Sequence, residues 1–207
     1  MSEKFIFIDR DGVINKDPGG WTPYSYVTKL SELEFLPGAL EALAKLNRAG
    51  FKVVVISNQA GVGKGHFTKR QLEEVNSFIL AEVKRHGGNI QESFYCIHKR
   101  EDNCSCRKPK TGLLEMAAKK YHIVPRDTFF IGDSEVDIES GAAVGASTVF
   151  VLSGKNTMDT MKKFPVKPDF IFKDLLEAVE WILAKERRKA ERANRRKYGE
   201  DKRGQPS

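Results

Sequence analysis

Two carboxylates follow the first apolar run of the chain. The run at positions 5–8 has the composition of a buried β-strand, and the residues DRDG follow it at positions 9–12. A carboxylate at the end of a buried strand, such as Asp9, is held rigidly, as a nucleophile or a metal ligand must be. Asp11, two residues later, could handle the proton of a leaving group. The pair indicates phosphoryl transfer through an aspartyl-phosphate intermediate, although an isolated D-x-D pattern is more typical of a surface turn.

A third carboxylate, Asp133, ends another apolar run, at positions 128–131. Ligands bind outside the carboxyl ends of the strands in open parallel sheets, so this residue is expected near the first pair. Adjacent carboxylates repel each other, and a site of hard oxygen ligands that also contacts phosphate favours Mg²⁺. We therefore expect Asp133 to complete a magnesium site with the pair.

Hydrogen-bonding side chains follow the apolar run at 53–56. Ser57, Asn58 and Gln59 offer a hydroxyl and two amides that could bind a transferring phosphoryl group, or could form an ordinary turn. The glycine-rich residues 61–65 that come next resemble a nucleotide-binding loop only superficially. They lack a glycine at position 58 and a serine or threonine at position 65, so we interpret them as a flexible turn.

All three cysteines of the chain fall within eleven residues. Cys96, His98, Cys104 and Cys106 form a C-x-H-x5-C-x-C array, which could supply four ligands to one tetrahedral ion. Zinc is the natural occupant of such a set. Because no position is left open, we predict a structural site that orders a long loop.

Two cations come directly after the zinc ligands. Folding of the loop around a metal would fix the directions of Arg107 and Lys108. Arginine can bind a phosphate through two hydrogen bonds, and lysine can act as a point charge on the reacting group. Either residue alone could be a solvated surface charge, but the acidic clusters favour a role in phosphate binding.

The elements that must position these residues alternate along the chain. Strands are predicted at 4–8, 51–56, 92–97, 128–131, 148–152 and 169–172, and helices at 37–49, 69–86, 112–122, 136–144 and from 174 onward. This alternation predicts an α/β fold, a three-layer Rossmann-like parallel sheet. The connections leave no room for a separate cap domain. The loop at 16–36, with Trp21, Tyr24 and Tyr26, and the zinc loop should therefore cover the site.

Composition indicates one domain and a basic tail. The 207 residues carry a net charge of +7. Ten Lys/Arg and four Asp/Glu between 185 and 203 account for +6 of it. We predict a catalytic domain at 1–184 and a helical or disordered tail at 185–207. No signal-like region or membrane-length apolar run is present, so we expect a cytoplasmic protein. We also expect it to be a monomer.

A different class of function is a nucleic-acid-associated zinc protein that uses this tail. Basic blocks can bind phosphate backbones, although solvated faces have the same composition. Tyr198 is the only aromatic residue beyond 185, which disfavours stacking on single strands. The sequence therefore favours an enzyme, with nucleic-acid binding as the alternative.

Four motifs resemble those of the haloacid-dehalogenase superfamily of phosphatases. They are FIDRDGVIN, VVISNQ, CRKP and FIGDSEVD, in that order, within about residues 5–154. The Cys/His array is similar to that of the zinc-bearing branch, which includes heptose-bisphosphate and histidinol-phosphate phosphatases.

The resemblance implies a role for each matching residue. Asp9 would be the nucleophile, and Asp11 the general acid and then the general base. Mg²⁺ would bind Asp9, the backbone carbonyl of Asp11 and Asp133. The remaining residues would contact the substrate: Ser57 and Lys108 at the transferring phosphoryl group, Arg107 gripping the substrate, and Asn58 and Gln59 lining the pocket.

The substrate is less closely defined by the motifs. Tyr26-Val27 ahead of LEFLPG resembles the heptose type, whereas the five-residue gap before Cys104 and the presence of Lys110 resemble the histidinol-phosphate type. Ser134 departs from the lysine common in heptose enzymes. We favour hydrolysis of D-glycero-D-manno-heptose 1,7-bisphosphate to heptose 1-phosphate, with histidinol phosphate as the alternative.

Overall fold

A six-stranded parallel sheet forms the centre of the molecule. The computed structural model describes residues 3–19, 22 and 24–199, with side chains up to residue 195. The strand order is β3-β2-β1-β4-β5-β6, and every neighbouring pair is parallel. The strands are β1 (Lys4–Ile8), β2 (Phe51–Asn58), β3 (Ile90–Cys96), β4 (Phe129–Gly132), β5 (Ser147–Val151) and β6 (Phe170–Phe172).

Helices connect the strands and cover both faces of the sheet. They are α1 (Ala39–Arg48), α2 (Lys69–Arg85), α3 (Gly112–Tyr121), α4 (Glu135–Ala143), α5 (Met158–Met161) and α6 (Leu175–Gly199), with 3₁₀ turns at Leu30–Glu32 and Pro125–Asp127. This arrangement confirms the predicted three-layer α/β fold without a cap domain. The four-residue helix α5 and the two 3₁₀ turns were not predicted, because such short elements show no periodicity.

Alternation along the strands divides the core into two main layers. Ile6 and Ile8 point to one face, where α1, α2 and α6 pack. Phe5 and Phe7 point to the other face and pack with residues of α3. A central parallel strand buried on both faces needs apolar residues at every position, which explains the continuous run before Asp9.

The last helix crosses the predicted boundary between residues 184 and 185. Its first turns are buried through Leu175, Val179 and Ile182, whereas every residue from 187 to 195 is exposed. Positions 200–207 of the predicted tail lie outside the described residues, as does Trp21. Among the helices that the structure describes, none has the length and apolar character needed to cross a membrane.

Candidate active site

The carboxyl ends of three adjacent strands bring the predicted residues together. Asp9 follows β1, Ser57 lies at the end of β2, and Asp133 follows β4. The backbone N–H of Asp9 donates to the carbonyl of Ile131 at 2.9 Å, which extends the pairing of β1 with β4. All three line one cleft of about 790 Å³, which is also lined by Asp11, Asn58, Arg107 and Lys108. Gln59 is fully buried and does not line this cleft.

Lys108 is a buried cation held between two carboxylates. Its Nζ lies 3.0 Å from Asp9 Oδ1 and 2.5 Å from Asp137 Oδ1, and donates to the carbonyl of Ile56 at 2.7 Å. Burial alone would lower the pKa of Lys108, but Asp137 and Asp9 outweigh that effect and raise it. The ammonium group therefore stays charged beside the carboxylate of Asp9.

Asn58 fixes the backbone that carries this lysine. Its Nδ2 donates to the carbonyl of Lys108 at 3.1 Å, and its Oδ1 accepts from the N–H of Lys108 at 3.1 Å. Asn58 lines the cleft as predicted, and this two-point contact is an additional function. It ties the end of β2 to the loop that follows the cysteines, fifty residues later in the chain.

A cage of donors surrounds the carboxylate of Asp11. The guanidinium of Arg10 donates through Nε at 3.1 Å and through NH2 at 2.9 Å to Oδ1. Asn15 Nδ2 donates to the same oxygen at 2.8 Å, and Gln59 Nε2 donates to Oδ2 at 2.7 Å. Gln59 Nε2 also lies 3.2 Å from Ser57 Oγ. Gln59, which was predicted to line the pocket, therefore contacts Asp11 and Ser57 from beneath the cleft.

Three carboxylates form a cluster that could hold a cation. Oxygens of Asp9, Asp133 and Asp137 all lie within 4.8 Å of one another. Burial raises the pKa of Asp9 to about 6, against the opposing effect of Lys108, and burial together with Asp137 and Asp9 raises the pKa of Asp133. The side chain of Asp11 is engaged elsewhere, so a contribution from Asp11 to this cluster would have to come from its backbone carbonyl.

Two glycines make close contact with Asp133. A Cβ at Gly12 would lie 2.5 Å from Asp133 Oδ2, and Gly12 also has a φ of +84°, which other residues rarely adopt. A Cβ at Gly154 would lie 1.8 Å from the same oxygen. The loops after β1 and β5 thus close around this carboxylate.

Asp137 lies in the motif FIGDSEVD, but the sequence analysis assigned it no role at the site. It is 1% exposed, pairs with Lys108 through Oδ1, and accepts through Oδ2 from the N–H of Ser134 at 3.1 Å. Ser134 and Asp137 form a capping box at the start of α4, which gives Ser134 a structural role. The S-x-x-D spacing was the available signal. It indicates a helix start and carries no information on the contact with Lys108.

The cysteine and histidine side chains converge as predicted. The Cys96, Cys104 and Cys106 sulfurs lie 3.3–3.6 Å apart, and His98 Nδ1 lies 3.2 Å from Cys106 and 3.7 Å from Cys96. Burial raises the pKa of Cys96 to about 12. Burial acts in the same direction on Cys104 and is the largest single effect, but hydrogen bonds with Cys106, the backbone of Arg107 and Cys96 together outweigh it and lower that pKa to about 7. The four groups could hold one metal ion.

Aromatic residues of the predicted covering loop line one wall of the cleft. Tyr24 and Tyr26 lie there with Lys64 of the glycine-rich turn. The ring of Tyr24 stacks on His66 with centroids 4.5 Å apart, and Lys64 Nζ lies 5.7 Å from the ring centroid of Tyr26. The glycine-rich turn is therefore part of the cleft wall.

Comparison with known proteins places the chain in a family. The profile of the HAD-hydrolase-like family matches residues 105–178. The D-glycero-beta-D-manno-heptose-1,7-bisphosphate 7-phosphatase of Pseudomonas putida is 38% identical over 172 residues, covering 83% of this chain and 95% of that protein. The chain belongs to the haloacid-dehalogenase-like phosphatases. The Pseudomonas aeruginosa protein with the same name is 34% identical, over 88% of this chain and 99% of its own length.

Structural similarity agrees with this family of phosphatases. A crystal structure described as D,D-heptose 1,7-bisphosphate phosphatase from B. bronchiseptica, complexed with magnesium and phosphate, superposes with a TM-score of 0.81. It is 30% identical and covers 88% of this chain and 99% of its own. This haloacid-dehalogenase-like chain is accordingly a phosphoric monoester hydrolase.

Proposed function

We propose that the chain removes the 7-phosphate of D-glycero-D-manno-heptose 1,7-bisphosphate. The observation that carries this proposal is a second cavity of about 490 Å³ beside the cleft. Arg107 and Lys108 line both cavities, and Lys99, Arg100 and Lys110 line the second one. A buried NH1 atom of Arg107 has no hydrogen-bond partner among the described residues. These five cations outnumber the two carboxylates of the same lining, Glu135 and Glu139, and the net positive charge suits a substrate with a second phosphate. The names of the relatives support the same substrate.

The proposed reaction uses Asp9 as the nucleophile and Asp11 as the general acid and then the general base. A carboxylate oxygen of Asp9 attacks phosphorus, while the carboxyl group of Asp11 gives its proton to the departing sugar oxygen. Asp11 then takes a proton from water, and that water attacks the phosphorus of the aspartyl phosphate, releasing inorganic phosphate and regenerating Asp9. Lys108 Nζ offsets the charge that develops on the phosphoryl oxygens, and Ser57 Oγ is placed to donate to one of them.

The acidic cluster suits Mg²⁺ bound by Asp9, Asp133 and the backbone carbonyl of Asp11. In support, Asp133 Oδ2 is buried without a hydrogen-bond partner among the residues that the structure describes, and oxygen donors are the set that Mg²⁺ prefers. When bound, Mg²⁺ would supply positive charge that orients the phosphoryl group and the attacking carboxylate. Asp137, which pairs with Lys108, would keep the ammonium group of that lysine in place.

Asp9 should make the stability of the magnesium-free protein depend on pH. Its pKa is about 6 in the folded protein against 3.8 in a free side chain, so the folded state binds more protons between those values. Stability relative to the Asp9→Asn variant should therefore fall by about 3 kcal/mol in total as the pH rises from about 3 to 7. Urea unfolding of both proteins measures the difference, and a difference that stays constant with pH would contradict the assignment. Added Mg²⁺ should stabilise the unmodified protein more at pH 8 than at pH 5.

Zinc is the ion that we assign to the cysteine and histidine cluster. Tetrahedral ligands at zinc–sulfur and zinc–nitrogen distances of about 2.3 and 2.0 Å lie about 3.5–3.8 Å apart. The separations of 3.2–3.7 Å between Cys96, His98, Cys104 and Cys106 are close to that range. Because Arg107 and Lys108 come next in the chain, the ion would hold both cations at the cleft.

The change Cys104→Ser should deplete zinc and lower activity. Loss of one ligand typically weakens a site strongly, and even changes outside the ligand set cost about 10–100-fold in affinity. We expect most molecules to lose the ion, the melting temperature to fall, and turnover to drop at least about tenfold as Arg107 and Lys108 lose their anchor. Metal analysis of the purified protein gives the zinc content. The neighbouring change Ser105→Ala, at an exposed position, is the matched control and should retain one zinc per chain.

Phosphate release from a panel of substrates tests the proposed function. The panel contains both anomers of the heptose 1,7-bisphosphate, the heptose 7-phosphate, histidinol phosphate and a 3′-phosphorylated oligonucleotide. We expect the highest kcat/KM for one bisphosphate anomer. Arg107→Gln should reduce kcat/KM for that bisphosphate at least about tenfold and reduce it less for the 7-monophosphate, because one charge-assisted contact is lost. Arg100→Gln, at an exposed residue of the second cavity, provides the comparison. A preference for histidinol phosphate would overturn the substrate and keep the chemistry.

A further inference from the structure

The second half of α6 carries cations at 187–195 that form no ion pairs among the side chains that the structure describes. Residues 187–195 read RRKAERANR and are all exposed. Helix cations elsewhere pair with carboxylates one turn away, as Lys45 does with Glu41 and Arg70 with Glu74. Within 187–195 no ion pair is formed among the described side chains, and the segment contains a single carboxylate, Glu191. Its charge is therefore not neutralised within the described structure.

Three of these cations form a stripe along the helix. Arg188, Arg192 and Arg195 have the spacing i, i+4 and i+7, which places them within an arc of about 60° and over a length of about 10 Å. Lys185 precedes them, but its Nζ lies 4.9 Å from the ring centroid of Trp181 and 4.8 Å from that of Phe170. We call Arg188, Arg192 and Arg195 the arginine stripe.

The remaining residues of this segment restrict the kind of partner. Its largest apolar residues are Ala190 and Ala193, so this segment of the helix has no apolar face to bury in a lipid bilayer or in the core of a partner protein. It also has no aromatic residue on which unpaired bases could stack. What the surface offers is a row of guanidinium groups on a helix narrow enough for a groove of about 12 Å.

The geometry points to the phosphate backbone of duplex nucleic acid as the ligand of the arginine stripe. Arginine suits this role because its planar group donates two hydrogen bonds to one phosphate. The stripe lies far from the cleft. Glu186, two residues before Arg188 in α6, pairs at 3.0 Å with Lys4 at the start of β1, whereas Asp9 follows the end of that strand. Binding there would leave the phosphatase site open.

The test measures binding of the full-length chain to a fluorescent 20-base-pair duplex. The stripe variant is Arg188→Gln/Arg192→Gln/Arg195→Gln, which removes three charges and keeps residues of good helix propensity. The matched control removes three exposed cations from other surfaces, through Arg70→Gln/Lys119→Gln/Lys163→Gln. Circular dichroism and phosphatase turnover, expected to be unchanged in both variants, report on folding. A triple Arg→Lys variant tests whether charge alone restores binding.

We expect the unmodified chain to bind the duplex, and its affinity to fall steeply with salt. For the three phosphate contacts of the stripe the loss is about 40-fold between 50 and 200 mM salt. The stripe variant should bind at least about tenfold more weakly at 50 mM salt and lose about 2.7 units of the logarithmic salt slope. The control should bind within about threefold of the unmodified chain.

Several outcomes would overturn the assignment. Equal weakening in the stripe variant and the control would show that net charge, and not the stripe, attracts the nucleic acid. Tighter binding to anionic phospholipid vesicles than to the duplex would replace nucleic acid with a membrane surface. Undetectable binding of the unmodified chain at 50 mM salt would remove the site. Comparing DNA and RNA duplexes of one sequence then identifies which phosphate backbone is preferred.

Discussion

The change Asp9→Asn should reduce turnover of the bisphosphate by at least about 10⁴-fold, because loss of a nucleophile removes the covalent route. Asparagine keeps the size of the side chain and can still accept a hydrogen bond from Lys108, whose Nζ lies 3.0 Å from Asp9 Oδ1. The amide cannot attack phosphorus as a carboxylate does. Single-turnover experiments with ³²P-labelled substrate should detect labelled protein for the unmodified chain and none for the variant.

A matched carboxylate elsewhere separates this effect from a general loss of charge. Asp127 is exposed in the 3₁₀ turn before β4, at the opposite edge of the sheet from the cleft. Asp127→Asn makes the same chemical change and should keep turnover within about twofold, as expected of surface substitutions. Residual activity of Asp9→Asn above one hundredth of the unmodified level would mean that another group attacks phosphorus.

Asp11→Asn should lower kcat by about 10²–10⁴-fold, which is the usual contribution of a general acid or base. The side chain accepts hydrogen bonds from Arg10, Asn15 and Gln59. The NH₂ group of an asparagine would face these donors without an acceptor, so the position of the side chain would be less well fixed. Both steps need this carboxyl group: it gives a proton to the sugar oxygen in the first step and takes one from water in the second.

The choice of leaving group distinguishes the role of Asp11 from damage to the fold. A substrate whose leaving group is already a weak base, such as 4-nitrophenyl phosphate, needs little protonation in the first step. The variant should therefore form the aspartyl phosphate from this substrate and then accumulate it, because water is not activated. Equal losses of kcat for both substrates, without accumulation of the aspartyl phosphate, would assign Asp11 to substrate binding alone.

The ends of the strands were the best-predicted part of the site. A buried parallel strand must be apolar throughout, so the first polar residue after each run marks the carboxyl edge of the sheet. This reasoning placed Asp9, Ser57 and Asp133 at one edge, and the structure brings them to one cleft. The close spacing of the cysteines similarly predicted their convergence on His98.

Contacts between distant loops could not be predicted in this way. The pairing of Lys108 with Asp137, and the double contact from Asn58 to the backbone of Lys108, depend on how far two connections reach across the edge of the sheet. No period or spacing in one sequence encodes that distance. The cage around Asp11 was missed for the same reason, since Gln59 had been assigned to the pocket lining and donates instead from beneath it.

Gly12 and Gly154 impose a limit on sequence change at this site. Both approach Asp133 Oδ2 so closely that a single methyl group would overlap it, at 2.5 Å and 1.8 Å. Residues at these positions cannot be exchanged one at a time while the carboxylate keeps its place, because backbone and aspartate would have to move together. Steric overlap therefore excludes substitutions at these two positions, whatever their effect on the chemistry of the site. In a library randomised at these codons and selected for activity, glycine should be recovered at both.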